Sequence, residues 1–326
     1  MKRLTCRCGQ AVYFDNHSCT NCSRQLAFDP STLLMVAEEN VGAGLAYCVK
    51  RNTASRCNWI AADGGACLSC RMSQIIPSLS KRENRSRWRK LEQAKRRLLY
   101  ELLRLHLPVD DSRLRFVFKE DRRSNPDVGD DHVSIGHANG VITINAAEAD
   151  DVYREEMRQQ MNEPYRTLLG HFRHESGHYY FGVLVGEHDL SEARRLFGDE
   201  TSPYDEALQN HYEKGPQLGW EEHFISSYAS SHPAEDWAEC WAHYLHICAV
   251  LEVAKATELK AGVSVSNWQT EFIDLVIAIN EVLRSLGLPD AYPFVITQHI
   301  AAKIEFVHQM VTRFSGRPDA PLSEAG

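Results

Sequence analysis

Apolar positions fall into three different rhythms along the chain. From Pro77 to Leu107, Trp88, Leu91, Leu98, Leu99, Leu102 and Leu105 recur mostly at intervals of three, four and seven, which predicts one long amphipathic helix. Shorter signals follow. Leu114–Phe118 reads as a strand, and Val133–Ile135 and Val141–Ile144 read as two more flanking Asn139-Gly140, a hairpin dipeptide with a connection expected to exceed two residues. Helical spacing returns from Leu168 to Gly186, where Leu168, Leu169, Phe172, Tyr179, Val183 and Leu184 provide apolar faces and Pro164 suits the helix start. Residues 187–233 alternate short helical patterns with breaks, Ser202-Pro203 opening one helix and Gly215-Pro216 following its end. Pro233 opens another helix, and Trp268–Leu286 and Ile296–Phe314 read as core-covering helices. The order, strands followed by many helices, predicts an α+β fold with a small mixed sheet and a helix-rich C-terminal part.

Composition adds a division. The 326 residues are 43% hydrophobic and 25% charged, as in ordinary globular proteins, and are numerous enough for more than one domain. Residues 1–104 hold 18 Lys and Arg against 8 Asp and Glu, while the remainder holds 18 against 36. No apolar run approaches a membrane span, and no apolar signal-peptide core precedes Cys6 and Cys8, so the expected location is cytoplasmic, with no membrane partner. The basic helix has two readings. It is a surface for an acidic protein partner or nucleic acid, or a solvated face complementing the acidic region behind it. The overall charge of −8 argues against nucleic acid. The Asp127–Asp131 cluster lacks the spacing of an EF-hand loop and reads as a polar turn.

Eight of ten cysteines precede residue 71. Cys6, Cys8, Cys19 and Cys22 make one quartet of thiolates, and Cys48, Cys57, Cys67 and Cys70 a second. Four sulfurs satisfy a tetrahedral zinc ion, so two structural zinc ions are expected in a β-rich module with few large apolar residues of its own. The competing reading is a disulfide framework, which the absence of a secretion signal disfavours. Spacing leaves open an interleaved pairing, in which each ion takes cysteines from both halves. Cys240 and Cys248 read as buried free thiols.

Candidate chemistry lies in His174-Glu175-Ser176-Gly177-His178. Residues four apart share a helix face, so His174 and His178 can hold one metal ion with Glu175 beside it, the HExxH arrangement in which the carboxylate takes a proton from a zinc-bound water. Roughly one random sequence in twenty of this composition contains such a pattern, so its context must decide. Glu235, Glu239 and His243 lie four apart on the helix that Pro233 opens. A catalytic zinc takes three protein ligands, which makes Glu235 the third ligand with Glu239 holding a histidine's other nitrogen, or the reverse. His171 reads as a packing or surface residue, and His243 and His246 as hydrogen-bonded rather than metal-binding.

Assembled, these residues resemble a bacterial family of zinc-binding metallopeptidases with an N-terminal zinc ribbon. The resemblance runs through the Cys6-x-Cys8-Gly9 knuckle, Cys57-Asn-Trp59, Cys67-Leu-Ser-Cys70-Arg71, Ala94–Tyr100, Gly170–Tyr180 and His232–Glu239. It implies a zincin-like domain and zinc more firmly than any substrate. Ser227-Tyr228, with Glu235 seven residues on, is similar to the active site of anthrax lethal factor and related gluzincins. That likeness implies Glu235 as zinc ligand and Tyr228 as the group stabilising the oxyanion. Asp236 departs from it by replacing an aromatic residue, as do the 56 residues between His178 and Glu235.

The resulting expectation is a zinc-ribbon module over residues 1–76 and a basic connecting helix over 77–107. A zincin-like metallopeptidase domain over 108–314 and a disordered tail over 315–326 follow. One catalytic and two structural zinc ions are expected, with a peptide or protein as substrate. The alternative is an adaptor: a zinc ribbon and basic helix recruiting a partner, on a catalytically idle zincin fold.

Overall fold

The computed structural model describes residues 4–37, 44–62, 64–259 and 268–316. The chain divides into two compact units, the first comprising Met1–Met161 with Arg166–Phe172 and the second Asn162–Tyr165 with Arg173–Gly326.

The first unit begins with three small antiparallel ribbons: β1 (Leu4–Thr5) with β2 (Ala11–Val12), β3 (Leu26–Asp29) with β4 (Leu34–Ala37), and β5 (Leu45–Tyr47) with β6 (Ile60–Ala62). After them come α1 (Leu68–Arg71), β7 (Ser73–Ile75), α2 (Arg82–Arg104), β8 (Arg115–Lys119), β9 (Gly136–Ala138), β10 (Val141–Asn145) and α3 (Asp151–Gln160). Four strands form a mixed sheet in the order β7-β8-β10-β9, parallel except for the final antiparallel pair. Phe14, Phe28, Trp59 and Tyr100 are fully buried together, with Phe14 and Phe28 centroids 4.8 Å apart and Phe28 and Trp59 5.1 Å apart. The helix predicted as a connector thus supplies Tyr100 to the core beneath the ribbons. Buried apolar area of this kind is what the cysteine-rich segment lacks by itself.

Two strand expectations need correction. Ala138 pairs directly with Val141, so the hairpin loop is the two residues Asn139-Gly140 and no longer. Both have positive φ, 50° and 78°, the combination that a tight right-twisted hairpin demands and that Asn-Gly tolerates. Val133–Ile135 is not a strand. Val133 is buried, and its carbonyl receives a hydrogen bond from the Asn145 side-chain amide at 3.2 Å in place of ladder pairing.

In the second unit the chain is helical. α4 (Leu168–Leu184), whose first residues count with the first unit, leads to α5 (Leu190–Phe197), α6 (Tyr204–Lys214), α7 (Pro233–Ala256), α8 (Trp268–Ser285) and α9 (Gln298–Ser315). α4 begins four residues after Pro164, where the Thr167 hydroxyl receives the Gly170 amide at 3.0 Å and caps the first turn. His232 caps α7 by accepting the Ala234 amide at 3.0 Å, and Pro233 follows at the position where a missing N–H costs nothing. Short 3-10 turns at Trp220–Glu222 and Tyr228–Ser231 lie between α6 and α7. Of the predicted tail, Ser315 ends α9 and Gly316 caps it, and residues 317–326 lie outside the described residues. Among the described residues no helix is long and apolar enough to cross a membrane.

Candidate metal centres

The eight N-terminal cysteines gather into two separate quartets, in sequence order and without interleaving: Cys6, Cys8, Cys19 and Cys22, then Cys48, Cys57, Cys67 and Cys70. Neighbouring sulfurs lie 3.7 Å (Cys6–Cys22), 3.6 Å (Cys8–Cys19), 3.6 Å (Cys48–Cys70) and 3.5 Å (Cys57–Cys67) apart. A disulfide needs about 2 Å. Four sulfurs about 2.3 Å from one ion stand about 3.8 Å apart in a tetrahedron, so the spacing fits zinc. Gly9, at φ +87°, makes the turn that returns its amide to the Cys6 carbonyl at 2.8 Å. These are two zinc-binding clusters of four cysteines each. The second is the more enclosed, with Cys48, Cys57 and Cys67 all buried.

The second unit's candidate centre depends on how closely α4 and α7 approach. At Gly177 an added Cβ would lie 2.9 Å from the Ala238 Cα and 3.0 Å from the Trp241 ring. Two indoles fasten the helices at this crossing: Trp237 donates to the Gly177 carbonyl at 2.9 Å and Trp241 to the Ser176 hydroxyl at 3.0 Å. Tyr180 stacks on Trp241 with centroids 5.0 Å apart. Both tryptophans are essentially fully buried. Their partners lie inside the HExxH segment, so the residues between its histidines also seat the second helix.

This crossing brings His174, His178 and Glu235 together, one donor atom from each lying within 4.8 Å of the others. Nε2 of His174 is 2.9 Å and Nε2 of His178 3.5 Å from the same Glu235 oxygen, Oε2. Glu239, one turn further along α7, is instead 2.7 Å from Nδ1 of His174. A neutral imidazole donates a hydrogen bond from only one nitrogen. With carboxylates on both, the His174 ring either takes a second proton or directs its Nε2 lone pair to a cation shared with Glu235. Burial opposes the charged ring, yet Glu235 and Glu239 together hold its pKa well above the ordinary value. Burial likewise opposes ionisation of Glu235, and hydrogen bonds from His174 and His178 overcome it, holding the carboxyl far below the usual range. Two imidazoles and one carboxylate, converging while the histidines keep some solvent access, make a set of donors that could hold one metal ion.

Around this set lie Glu175, buried at 6% exposure on α4, and Tyr228, whose ring centroid is 5.9 Å from that of His174. Tyr204, at the start of α6, donates to the other Glu235 oxygen at 2.7 Å. The sequence reading missed it, and its signal is faint: one tyrosine directly after Ser202-Pro203, 31 residues from its partner. Burial and the nearby Glu235 charge raise the pKa of both tyrosines, so both phenols stay protonated donors. His171 meets Glu148 at 3.2 Å. His243 bonds the Tyr292 hydroxyl at 2.7 Å and His246 packs on the same ring. Cys240 and Cys248 are buried and form no disulfide.

Residues 84–310 match the family described as "Putative zinc-binding metallo-peptidase", and residues 3–81 match a zinc-ribbon domain. The first match spans most of the chain, including both helices of the candidate centre. The chain belongs to this metallopeptidase family. Its similarity to uncharacterized proteins of Mycobacterium bovis and of two strains of Mycobacterium tuberculosis is 39% identity over 328 residues, covering 93% of this chain and 93% of each relative. No solved structure matches it. Membership of the metallopeptidase family and the two thiolate clusters agree on zinc as the metal of this chain.

Proposed function

We propose that the chain is a zinc-dependent hydrolase of peptide bonds, acting through the centre on α4 and α7. The observation that carries this reading is the convergence of His174 Nε2, His178 Nε2 and Glu235 Oε2, with Glu175 adjacent to the first ligand in sequence. These three residues would hold the ion. When bound, zinc lowers the pKa of a water from that of bulk water to roughly 7 and polarises a substrate carbonyl.

The remaining work falls to side chains. Glu175 takes the proton released as water attacks the scissile carbonyl, and passes it to the departing amine. Its burial keeps the carboxylate away from competing bulk water. Tyr228 donates its phenolic hydrogen to the carbonyl oxygen as that oxygen becomes negative; loss of one such donor typically costs roughly 100- to 1,000-fold in rate. Glu239 accepts from Nδ1 of His174, which orients the ring and fixes Nε2 as its metal-facing atom. Tyr204 occupies the second oxygen of Glu235 and leaves Oε2 directed at the histidines.

The substrate is a protein or peptide, and comparing cleaved termini is the direct test. Cells producing the wild-type chain are compared with cells producing Glu175→Gln by proteomic mapping of new N-termini. Termini present only with the wild type support peptide hydrolysis; identical sets from both, with zinc bound in both, overturn it.

A further inference from the structure

Glu235 and Asp236 both stand in the first turn of α7, and helix ends are where fraying begins. Consecutive residues on a helix point about 100° apart, so while Glu235 turns to His174 and His178, Asp236 faces another way. It meets Lys303 of α9, whose ammonium lies 2.5 Å from Asp236 Oδ2. Both partners are buried, at 0% and 5% exposure. The same ammonium donates to the His223 carbonyl at 2.7 Å and lies 4.3 Å from the centre of the Phe224 ring. Thr297, the residue that caps α9, adds a bond from its hydroxyl to the Glu222 carbonyl at 2.8 Å. One cation and one hydroxyl of α9 thus hold the first turn of α7 and the loop that leads to Tyr228.

Stability alone does not account for such a pair. Desolvation costs two buried charges about as much as their attraction returns, and apolar residues of similar volume often serve a fold as well. What the pair adds is direction: the ammonium bonds one carboxylate oxygen and one carbonyl, which fixes α7 and the loop in a single relative placement. We propose that Lys303 is a positioning residue for the metal centre on α4 and α7, locking the first turn of α7 so that Glu235 Oε2 stays where His174 and His178 meet it. The inference rests on the reading of those three residues as a metal site. Lys303 acts through Asp236, the neighbour of Glu235 in the chain, and its hold adds to the bond that Tyr204 makes to Glu235 Oε1.

The test measures zinc affinity of the α4–α7 centre on the full chain by competition with a chromophoric chelator, with the two cysteine quartets as internal reference. Urea denaturation of each preparation reads stability separately. The variants are Lys303→Arg and the double change Lys303→Met with Asp236→Leu, which removes both charges together and leaves neither buried alone. Groups that orient metal ligands typically contribute 10- to 100-fold in metal affinity. The double variant should keep near wild-type stability, bind zinc at α4–α7 about tenfold more weakly, and leave both quartets loaded. Lys303→Arg, which keeps a cationic donor for Asp236, should recover most of the affinity. Should the double variant fail to fold, Lys303→Gln set against Lys303→Arg gives the comparison, with weaker zinc binding in Lys303→Gln supporting the proposal. Unchanged affinity in the variants, with zinc bound at α4–α7 in wild type, overturns the role of Lys303 alone. A wild-type chain that binds no ion at α4–α7 removes the metal site and this proposal with it.

Discussion

The Gly177 backbone passes so close to Ala238 that a methyl group on Gly177 would stand 2.9 Å from the Ala238 Cα. Nothing larger than hydrogen fits where α4 crosses α7. Gly177→Ala should therefore force the helices apart, at a cost of about 1–3 kcal/mol. Urea denaturation of the pure variant measures that loss. Because Glu235 rides on α7, zinc affinity at the α4–α7 centre should fall with it; unaltered stability would mean that the crossing relaxes at no cost.

Tyr204 bonds the Glu235 oxygen that faces away from His178. Partners of metal-binding groups typically contribute 10- to 100-fold in affinity. Tyr204→Phe should weaken zinc binding at this centre by about tenfold and leave the thiolate clusters loaded. Competition with a chromophoric chelator gives the number.

Glu148 is 1% exposed and bonds Arg166 at 2.5 Å and His171 at 3.2 Å. Burial resists its ionisation, but His171 and Arg166 outweigh that and bring its pKa from 4.5 to about 2. A carboxyl whose pKa is lower in the folded state adds stability above its unfolded pKa and loses it as pH falls through the folded value. Glu148→Gln should thus cost about 3 kcal/mol at neutral pH. The gap to wild type should close as pH falls from about 4.5 toward about 2. A gap constant with pH would assign the effect to packing.

What could be read from the sequence was what is local. His174 and His178 share a face by helix geometry, so that pair was legible without a structure, whereas the spacing of the cysteines left an interleaved pairing open that the fold closes. Asn139-Gly140 was legible as a turn, yet the strand before it was misplaced: Val133 is buried without ladder pairing, its carbonyl meeting the Asn145 side chain instead. Tyr204 and Gly177 were not legible in their roles, since each acts through a tertiary contact with α7. Burial of two cations on α2 was not legible for a similar reason. Lys95 and Arg96 look solvated in sequence, and only the fold places Glu92, Ser69 and Ser73 around them.

Solvent access separates the metal sites. His174 and His178 side chains are 12% and 19% exposed, whereas three of the four cysteines in the second cluster are buried. A mild chelator should remove zinc from the α4–α7 centre first and abolish peptide hydrolysis, with secondary structure retained by circular dichroism. Returning one equivalent of zinc should restore turnover. Loss of fold in step with loss of activity would place the labile ion in the ribbon.

The most direct measurement is zinc per chain by mass spectrometry of metals in wild type, His178→Ala and Glu175→Gln. Three ions in wild type, two in His178→Ala and three in Glu175→Gln are expected if His178 is a ligand of the ion and Glu175 the base, as proposed. Two ions in wild type, or three in His178→Ala, would contradict a zinc site built on α4 and α7.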